Sequence, residues 1–514
     1  MTASLSVVNG QNDDDRARLV VTQDEKSVVD EALGSLVNLD TYYVRDHRLV
    51  LLAHNPVKNR FSIHDVQAAQ LRTDLCGVVR FLTESEKNGL PVYKQCHPPA
   101  WLVDSIIKRN EWPGMRWLSG VITTPIIDDT GRVHQSAGYD GGTMFYYAPT
   151  VQFPDVPELP TQEDAAAAYA DLCEPFLDFP FVAQQDMAAA VALVLTMLGR
   201  PAIKGPCPLF LVQATTKGTG KTLLARIATA IAEGTPSPLT EYKSNEEELA
   251  KTMESIAYAG DLSIIFDNVT HRLGCGALDM VLTGTEAKFR ELGSHNRRIV
   301  DWNAVVIATA NNPTTKADTA RRILPIRLET KLENPQDRAD FRVPDIIGWV
   351  KQHRPRLVVA GLTILRAHAA ACWPLGGVPQ WGSYESWRHT IGAAVAWAGG
   401  TDPLSTRADL DGDDEGANAL DRLLTWLCGT GVCQGRGLKY SAAGLLKSAG
   451  YDEELQDALE CLHGKATKLD SRALGYALRA NAKRLRKGYS LMSDRNEENV
   501  TMWFAAKPAS SGDA

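Results

Sequence analysis

The segment from Thr216 to Thr222 combines glycines, a lysine and hydroxyl side chains in an order suited to holding a phosphate. Backbone N–H groups can surround phosphate oxygens, Lys221 can reach the outer oxygens, and the Thr222 hydroxyl can ligate Mg²⁺. A full phosphate-loop pattern has glycine where this chain has Thr215, so a turn that binds no nucleotide is the alternative. The candidate nucleotide-binding residues are Thr216, Lys217, Gly218, Thr219, Gly220, Lys221 and Thr222.

A second candidate, Asp267, follows the apolar run Leu262–Phe266. In a parallel sheet, a carboxylate at the C-terminal end of such a strand lies beside the phosphate loop and can hold Mg²⁺. The next residue is normally a glutamate that polarises the attacking water, but here it is Asn268. An amide cannot accept a proton as a base, although it can orient water by hydrogen bonding. The carboxylates that we consider in its place are Glu286, Asp279 and Asp261.

Three more candidates follow the next apolar run, Val305–Ala308. Asn311, at the end of this predicted strand, can position the hydrolytic water, and an Asn/Pro turn is the alternative. In a ring of identical subunits, Arg321 or Arg322 would reach the neighbour's nucleotide and stabilise charge on the transferred phosphoryl group, commonly contributing ~10³-fold or more. A solvated arginine pair that caps a helix is the alternative.

A sheet is needed to bring these residues together, and the sequence pattern predicts one. The β-type run Leu209–Gln213 precedes the loop, and apolar residues at helical spacing follow it. We therefore predict an α/β core with a parallel sheet over residues 201–342. A helical platform is predicted before it, over 161–200, and a helical lid after it, over 343–408.

The two ends of the chain differ from this core. Residues 1–30 are polar and without periodicity, which predicts a disordered tail. Residues 31–150 consist of short β-like pieces with frequent breakers, which predicts a small N-terminal α+β module. The proline-rich residues 151–160 are typical of a linker.

The C-terminal residues 417–508 contain a basic stretch in an acidic protein. Residues 465–487 carry eight basic side chains against one acidic side chain. Predicted helices over Ser441–Ala449 and Ser471–Lys483, followed by a hairpin over Gly488–Phe504, indicate a winged-helix-like domain that binds DNA. A solvated charged face is the alternative. The candidate DNA-binding residues here are Arg472, Arg479, Lys483, Arg484, Arg486 and Lys487.

Composition limits the class of protein. The 514 residues are 44% hydrophobic with a net charge of −8, which is typical of a multidomain globular protein and not of a uniformly basic nucleic-acid binder. The nine cysteines form no CxxC pair and no common zinc-site spacing, so we expect reduced thiols and a cytoplasmic location. No apolar run approaches the ~20 residues that span a bilayer, and we expect no membrane partner.

Five motifs in order, GTGKT, IIFDN, FRELG, ATANN and DTARRILPIRL, resemble the AAA+ helicase module of superfamily three. The resemblance is to the primase-helicase-type replication ATPases of phages, plasmids and integrated elements, and it covers roughly residues 202–342. It implies ATP and Mg²⁺ as ligands, with Lys221 and Thr222 on phosphate and metal and Asp267 on the metal. It also implies that Asn311 is a sensor and that Arg321 or Arg322 acts on a neighbouring subunit of a hexameric ring.

The resemblance further implies a DNA-tracking hairpin between the second and third core strands. A basic hairpin in a channel can neutralise phosphates without reading sequence. A solvated surface hairpin is the alternative. The candidate residues on this hairpin are Lys288, Arg290, His295, Arg297 and Arg298.

Together the residues and the resemblance predict an ATP-driven DNA helicase that takes part in the replication of a mobile element. Its expected substrate is single-stranded or forked DNA. We expect it to work with a separate primase or polymerase. Two other functions remain open, namely a DNA-dependent ATPase that loads or remodels replication proteins, and a nucleotide-gated DNA-binding initiator with negligible hydrolysis.

Overall fold

The computed structural model describes residues 16–507 except 58–59, 244, 291–296, 331, 333–334, 336–337, 339, 410–414, 430–438, 464–468, 483–484 and 487. It divides into two compact units, one ending at Thr406 and the other beginning at Arg407. The boundary lies close to the predicted end of the helical lid. Residues 1–15, the first half of the predicted disordered tail, lie outside the described residues.

The N-terminal part of the first unit alternates short strands and helices. Its elements are β1 Ala17–Val20, α1 Glu25–Val37, β2 Tyr42–Arg45, β3 Arg48–Asn55, β4 Arg60–Asp65, α2 Ala68–Val78, β5 Val79–Lys87, β6 Leu90–Gln95, α3 Ala100–Lys108, β7 Gly120–Ile122, β8 Ile126–Ile127, β9 Val133–His134, β10 Gly138–Tyr139 and β11 Phe145–Tyr147.

The predicted disorder over residues 1–30 is wrong from β1 onward. β1 pairs in parallel with β5, a partner distant in sequence, and its Leu19 is buried. α1 buries Val28, Ala32 and Leu36 at helical spacing against the same cluster. A short strand with a distant partner gives no periodic signal of its own, so the sequence pattern missed it.

The rest of the first unit contains the larger sheet and its helices. These elements are α4 Gln162–Cys173, α5 Gln184–Leu198, β12 Leu209–Ala214, α6 Lys221–Glu233, β13 Leu239–Glu241, α7 Glu246–Ala259, β14 Ser263–Val269, α8 Gly276–Val281, β15 Glu286–Arg290, β16 Arg297–Asp301, β17 Val305–Asn311, α9 Ala317–Ala320, β18 Ile323–Leu328, α10 Ile346–Ala370, α11 Glu385–Trp387 and α12 Ala393–Trp397. None of the helices in the described part of the chain is long and apolar enough to cross a membrane.

The larger sheet is parallel throughout, in the order β13-β14-β17-β12-β18. Strands β12, β14, β17 and β18 are largely buried and mostly apolar, as expected where helices cover both faces, and residues Leu209–Val212 of β12 are all fully buried, whereas the edge strand β13 is mostly exposed. The predicted α/β core with a parallel sheet is confirmed. Parallel strands end at one edge, so the residues that follow β12, β14 and β17 lie together.

The C-terminus of α6 is held by groups from outside its own strand–helix unit. Arg354, buried on α10, donates from Nε to the Ile231 carbonyl at 3.0 Å. Thr123 and Thr124, from the N-terminal part, donate to the carbonyls of Glu233 and Ala232 at 2.8 and 2.9 Å. A cation at a helix C-terminus also complements the helix dipole. The helix that follows the predicted phosphate-binding loop is therefore fixed by two other parts of the unit.

Glu233, the last residue of α6, gives the fold a pH dependence. Its carboxylate accepts hydrogen bonds from Ser263 Oγ at 2.5 Å and Ser237 Oγ at 3.2 Å. Burial raises the pKa of Glu233 from 4.5 to about 7. The folded protein therefore binds this proton more tightly than the unfolded chain, and stability is lost as pH rises from about 4.5 to about 7.

Replacing Glu233 with glutamine should remove this loss. We expect the stability of Glu233→Gln relative to wild type to rise by up to roughly 2 kcal/mol between pH 5 and pH 8. Thermal unfolding at several pH values measures it, with exposed Glu111→Gln as the control. Parallel pH profiles for wild type and Glu233→Gln would contradict this assignment.

The second unit packs helices against an antiparallel sheet with strand order β19-β22-β21-β20. Its core is built largely from leucines of the helices together with Trp503. Its elements are α13 Glu415–Gly429, β19 Tyr440–Ser441, α14 Ala442–Ala449, α15 Glu453–His463, α16 Ser471–Asn481, β20 Leu485–Arg486, β21 Tyr489–Arg495 and β22 Thr501–Ala506.

The helices and hairpin predicted in this unit are present with small differences. The hairpin predicted over Gly488–Phe504 is formed by β21 and β22. The helix predicted from Ser471 would begin at that serine as its cap, but Asp470 accepts a hydrogen bond from the Ala473 N–H at 2.7 Å and is the N-cap. Aspartate caps as well as serine does, so two neighbouring candidates could not be separated by sequence.

Candidate nucleotide-binding site

The loop between β12 and α6 has the backbone that a phosphate cradle needs. Gly218 and Gly220 have φ values of +80° and +91°, a left-handed conformation that glycine adopts without strain. A Cβ at Gly220 would lie 3.0 Å from the ring of Phe179. Both glycines are therefore required by the local geometry, and α6 begins directly after them at Lys221.

Lys221 is held inside this loop. Its side chain is buried, and Nζ donates to the Thr216 carbonyl and to Thr219 Oγ1, both at 3.1 Å. Burial lowers the pKa of Lys221, and the charge of Asp267 opposes that shift. An ammonium group has three donors, so the two loop contacts leave capacity for an anion. Thr216 Oγ1 is also buried, with no hydrogen-bond partner among the described residues.

Asp267 connects three chain segments at the edge of the sheet. Its Oδ1 accepts hydrogen bonds from Thr222 Oγ1 at 2.6 Å and from Thr309 Oγ1 at 2.7 Å. Thr309 Oγ1 in turn accepts from the Asn268 N–H at 2.8 Å. A hydroxyl in contact with a carboxylate is a hard oxygen set that suits Mg²⁺. Thr222 and Asp267 are therefore the residues that would hold the metal.

Asn268 has an unusual backbone. Its φ is +51°, and the pairing of β14 with β17 is irregular between Phe266 and Val269. Asparagine tolerates this left-handed conformation better than most residues, whereas another side chain costs roughly 1–2 kcal/mol. The bulge thus favours asparagine over glutamate at this position. The predicted role of Asn268 in orienting water stays a prediction.

Asn311 is the last residue of β17 and pairs in register with Ala214, the last residue of β12. This register places it next to the start of the phosphate loop. Its Oδ1 is buried, with no hydrogen-bond partner in the described part of the chain. A buried polar atom without a partner is costly unless a ligand or water satisfies it.

The two candidate arginines differ in their surroundings. Arg322 is mostly buried, donates from Nε to Thr283 Oγ1 at 3.0 Å and pairs with Asp279 at 3.3 Å. The side chain of Arg321 is 65% exposed and pairs with Asp318 at 3.2 Å. Arg322 is therefore engaged within its own subunit, and Arg321 lies at the surface. The sequence could not separate them because the difference depends on which face of a short helix end is buried.

Asp279 and Asp261 are poorly placed to replace a glutamate after Asp267. Asp279 Oδ1 accepts a hydrogen bond from Thr319 Oγ1 at 2.8 Å and also pairs with Arg322. Asp261 precedes β14, whose extended backbone puts it about 20 Å from Asp267 at ~3.3 Å per residue.

Glu286 also lies toward the amino edge of the sheet. It pairs across β15 and β16 with Asp301, whose N–H donates to Asp46 Oδ1 at 3.4 Å. Arg45, next to Asp46, donates to the Ala257 carbonyl at 2.9 Å near the C-terminus of α7. That helix leads into the amino end of β14, so Glu286 is remote from Asp267.

A cavity of about 480 Å³ opens against the phosphate loop. Apolar side chains dominate its walls, including Phe179, Leu223 and Phe341. The guanidinium of Arg338 lies 4.8 Å from the centre of the Phe341 ring and donates to the Asp178 carbonyl at 2.6 Å. An apolar cleft with a few fixed polar groups is typical of a small-molecule site. These residues could not be predicted from the sequence because nothing in their local pattern marks them as neighbours.

The predicted DNA-binding residues occur in two places. β15 and β16 form an antiparallel hairpin, with Lys288 opposite Ile299 and both side chains exposed. Arg472 and Arg479 are exposed on α16 with Tyr476 between them, 58% exposed and 5.3 Å from the Arg479 guanidinium. The remaining candidates are described only as backbone, for Arg290, Arg297, Arg298 and Arg486, or lie outside the described residues, for His295, Lys483, Arg484 and Lys487.

No protein-family model and no curated protein matches this chain. Solved structures similar to it include the apo NrS-1 C-terminal region (8% identity, 91% of this chain and 96% of that chain covered, TM-score 0.38). Others are the SCCmec type IV Cch active helicase (11%, 91% and 97%, 0.35) and the JCV helicase (14%, 49% and 74%, 0.23). None of these three structures reaches a TM-score of 0.5.

Proposed function

We propose that this protein is an ATP-driven DNA helicase of the AAA+ class, with Mg²⁺ as its metal. One observation carries the proposal. The lysine of a glycine loop, a threonine–aspartate pair and a buried amide oxygen without a partner among the described residues lie together at the carboxyl edge of one parallel sheet. The residues are Lys221, Thr222, Asp267 and Asn311.

In this proposal the loop backbone and Lys221 bind the β- and γ-phosphates, and the cavity beside the loop takes the base and ribose. Phe179 and Phe341 can stack on a base, and the apolar wall of the cavity can hold that base in position. The metal, when bound by Thr222 and Asp267, neutralises phosphate charge. Asn311, and Asn268 from its left-handed backbone, can orient the attacking water.

We infer further that the active particle is a ring of six subunits, as the resemblance of its motifs implies, in which each site is completed by a neighbour. The exposure of Arg321 supports this arrangement. Exposed basic residues on the β15–β16 hairpin and on α16 are the proposed contacts to DNA. The second unit, a helix α16 followed by a β21–β22 hairpin, would act as a winged-helix-like DNA-binding domain.

The proposed DNA contact of α16 can be tested by its salt dependence. Replacing Arg472 or Arg479 with alanine should weaken DNA binding and reduce the slope of log affinity against log salt by roughly 0.7–0.9 per residue. Fluorescence anisotropy over a salt series measures the slope, with Lys447→Ala on α14 as the control. Slopes equal to wild type for both variants would show that this face does not contact phosphates.

The proposed setting is replication of a phage, plasmid or integrated element, in the cytoplasm, with priming or synthesis by a separate protein.

The experiment that tests the proposed helicase activity is strand displacement on a forked duplex in the presence of ATP and Mg²⁺. Displacement is expected. DNA-stimulated hydrolysis without displacement would favour the loader. DNA binding without hydrolysis would favour the initiator, and the observation that specifically supports the initiator is the asparagine, Asn268, where a glutamate normally follows the aspartate.

A further inference from the structure

The attacking water needs a group that can accept its proton, and among the described residues neither the side chains in contact with Asp267 nor the carboxylates considered above supply one. Asp267 is engaged by Thr222 and Thr309 and is the proposed metal ligand. Asn268 and Asn311 are amides, which have no basic site. Asp279, Asp261 and Glu286 are engaged or lie at the other edge of the sheet, as shown above.

One carboxylate of the described chain occupies the same edge from the neighbouring strand. Glu241 is the last residue of β13, and its register partner in β14 is Asp267. Adjacent strands lie about 4.8 Å apart, so the two residues start from neighbouring positions on the sheet. A glutamate side chain is long enough to reach a water beside the aspartate from there.

The face of the sheet is also correct. Side chains alternate between faces along a strand, so in-register partners in a parallel pair share a face. Asp267 faces α6, where it contacts Thr222. On the opposite face, Tyr242 packs against Phe266 with ring centres 5.4 Å apart. Since Tyr242 follows Glu241 directly, Glu241 is on the face of Asp267 and of the phosphate loop.

The surroundings of Glu241 leave its carboxylate accessible. Its side chain is 74% exposed, and it forms an ion pair with Lys243, which is itself 47% exposed. β13 is the edge strand of the sheet, with no further strand beyond it in the described topology. The carboxylate can therefore exchange this surface contact for a water at the site without breaking a buried interaction.

We propose that Glu241 is the general base for ATP hydrolysis, doing from the neighbouring strand what a glutamate after Asp267 would otherwise do. The inference rests on the proposed function. Water attacks the γ-phosphorus, the bond from that phosphorus to the β,γ-bridging oxygen breaks, ADP leaves, and the Glu241 carboxylate takes the water proton. That proton is then released with inorganic phosphate.

The test compares Glu241→Gln with wild type and with Glu247→Gln, an exposed acid in the first turn of α7. Nucleotide affinity is measured with a fluorescent ATP analogue, and hydrolysis is followed in single turnover. General-base removal typically costs 10²–10⁴-fold, so Glu241→Gln should lower the hydrolysis rate at least about 100-fold. Its affinity should stay within about threefold of wild type, and the nucleotide retained on the protein should be ATP.

The outcomes separate the inference from the proposed function. Hydrolysis by Glu241→Gln at the rate of Glu247→Gln, with wild type active, would overturn the role of Glu241 and leave the ATPase in place. Weakened nucleotide binding with unchanged single-turnover rate would overturn it too, because it would assign Glu241 to binding. A wild-type protein that binds ATP without hydrolysing it would overturn both.

Discussion

Lys221→Ala is expected to abolish ATP turnover and to weaken ATP binding at least about 100-fold. In the structure Nζ is held within the loop by the Thr216 carbonyl and Thr219 Oγ1. Its removal eliminates the buried cation that we propose binds the phosphates, and hydrogen bonds to charged groups are worth about 1.5–3 kcal/mol each. Equilibrium binding of a fluorescent nucleotide and steady-state phosphate release measure the two effects.

Lys251→Ala is the matched control for Lys221→Ala. Lys251 lies on α7 and pairs with Glu248 at 2.8 Å on the surface, where solvent screening leaves an ion pair with little effect on stability. This variant should bind and hydrolyse ATP as the wild type does. Tight ATP binding by Lys221→Ala in a folded protein would show that the loop is not the phosphate site.

Arg321→Ala is expected to lower turnover by about 10³-fold while leaving ATP affinity nearly unchanged. The reason is that Arg321 is exposed and would act on the nucleotide of a neighbouring subunit. Mixing Arg321→Ala with Lys221→Ala should restore part of the activity, because some interfaces of a mixed ring would pair an intact loop with an intact arginine. Phosphate release by each variant alone and by the mixture measures this.

Arg322→Ala provides the contrast one residue away. It should destabilise the fold, because Asp279 and Thr283 lose the guanidinium that they share. Thermal unfolding detects this loss. The assignment would be contradicted if Arg322→Ala stayed folded and lost turnover while Arg321→Ala remained active, or if the mixture of inactive variants recovered nothing.

The central part of the site could be predicted from the sequence because its signals are local. A glycine loop between an apolar strand and a helix specifies its own backbone, and Gly218 and Gly220 have the left-handed φ values that it requires. A carboxylate at the end of an apolar run reaches the loop because parallel strands end at one edge. Asp267 and Thr222, distant in sequence, are therefore in contact.

Other features depend on pairings that no local pattern contains. Strand order decides that β13 lies beside β14, and only this order makes Glu241 the partner of Asp267. Phe179 precedes β12 in the chain and Phe341 follows β18, yet both residues line the same cavity. The role of Thr309 could not be predicted, because its position inside an apolar strand gives no sign that its hydroxyl bridges Asp267 and Asn268.

The most direct test of a DNA-driven ATP motor is the rate of ATP hydrolysis by the wild-type protein with and without single-stranded DNA. The arrangement of Lys221, Asp267 and Asn311 predicts Mg²⁺-dependent turnover that DNA stimulates and that Lys221→Ala eliminates. Wild-type protein that binds ATP and DNA but shows no DNA-stimulated turnover would contradict the motor.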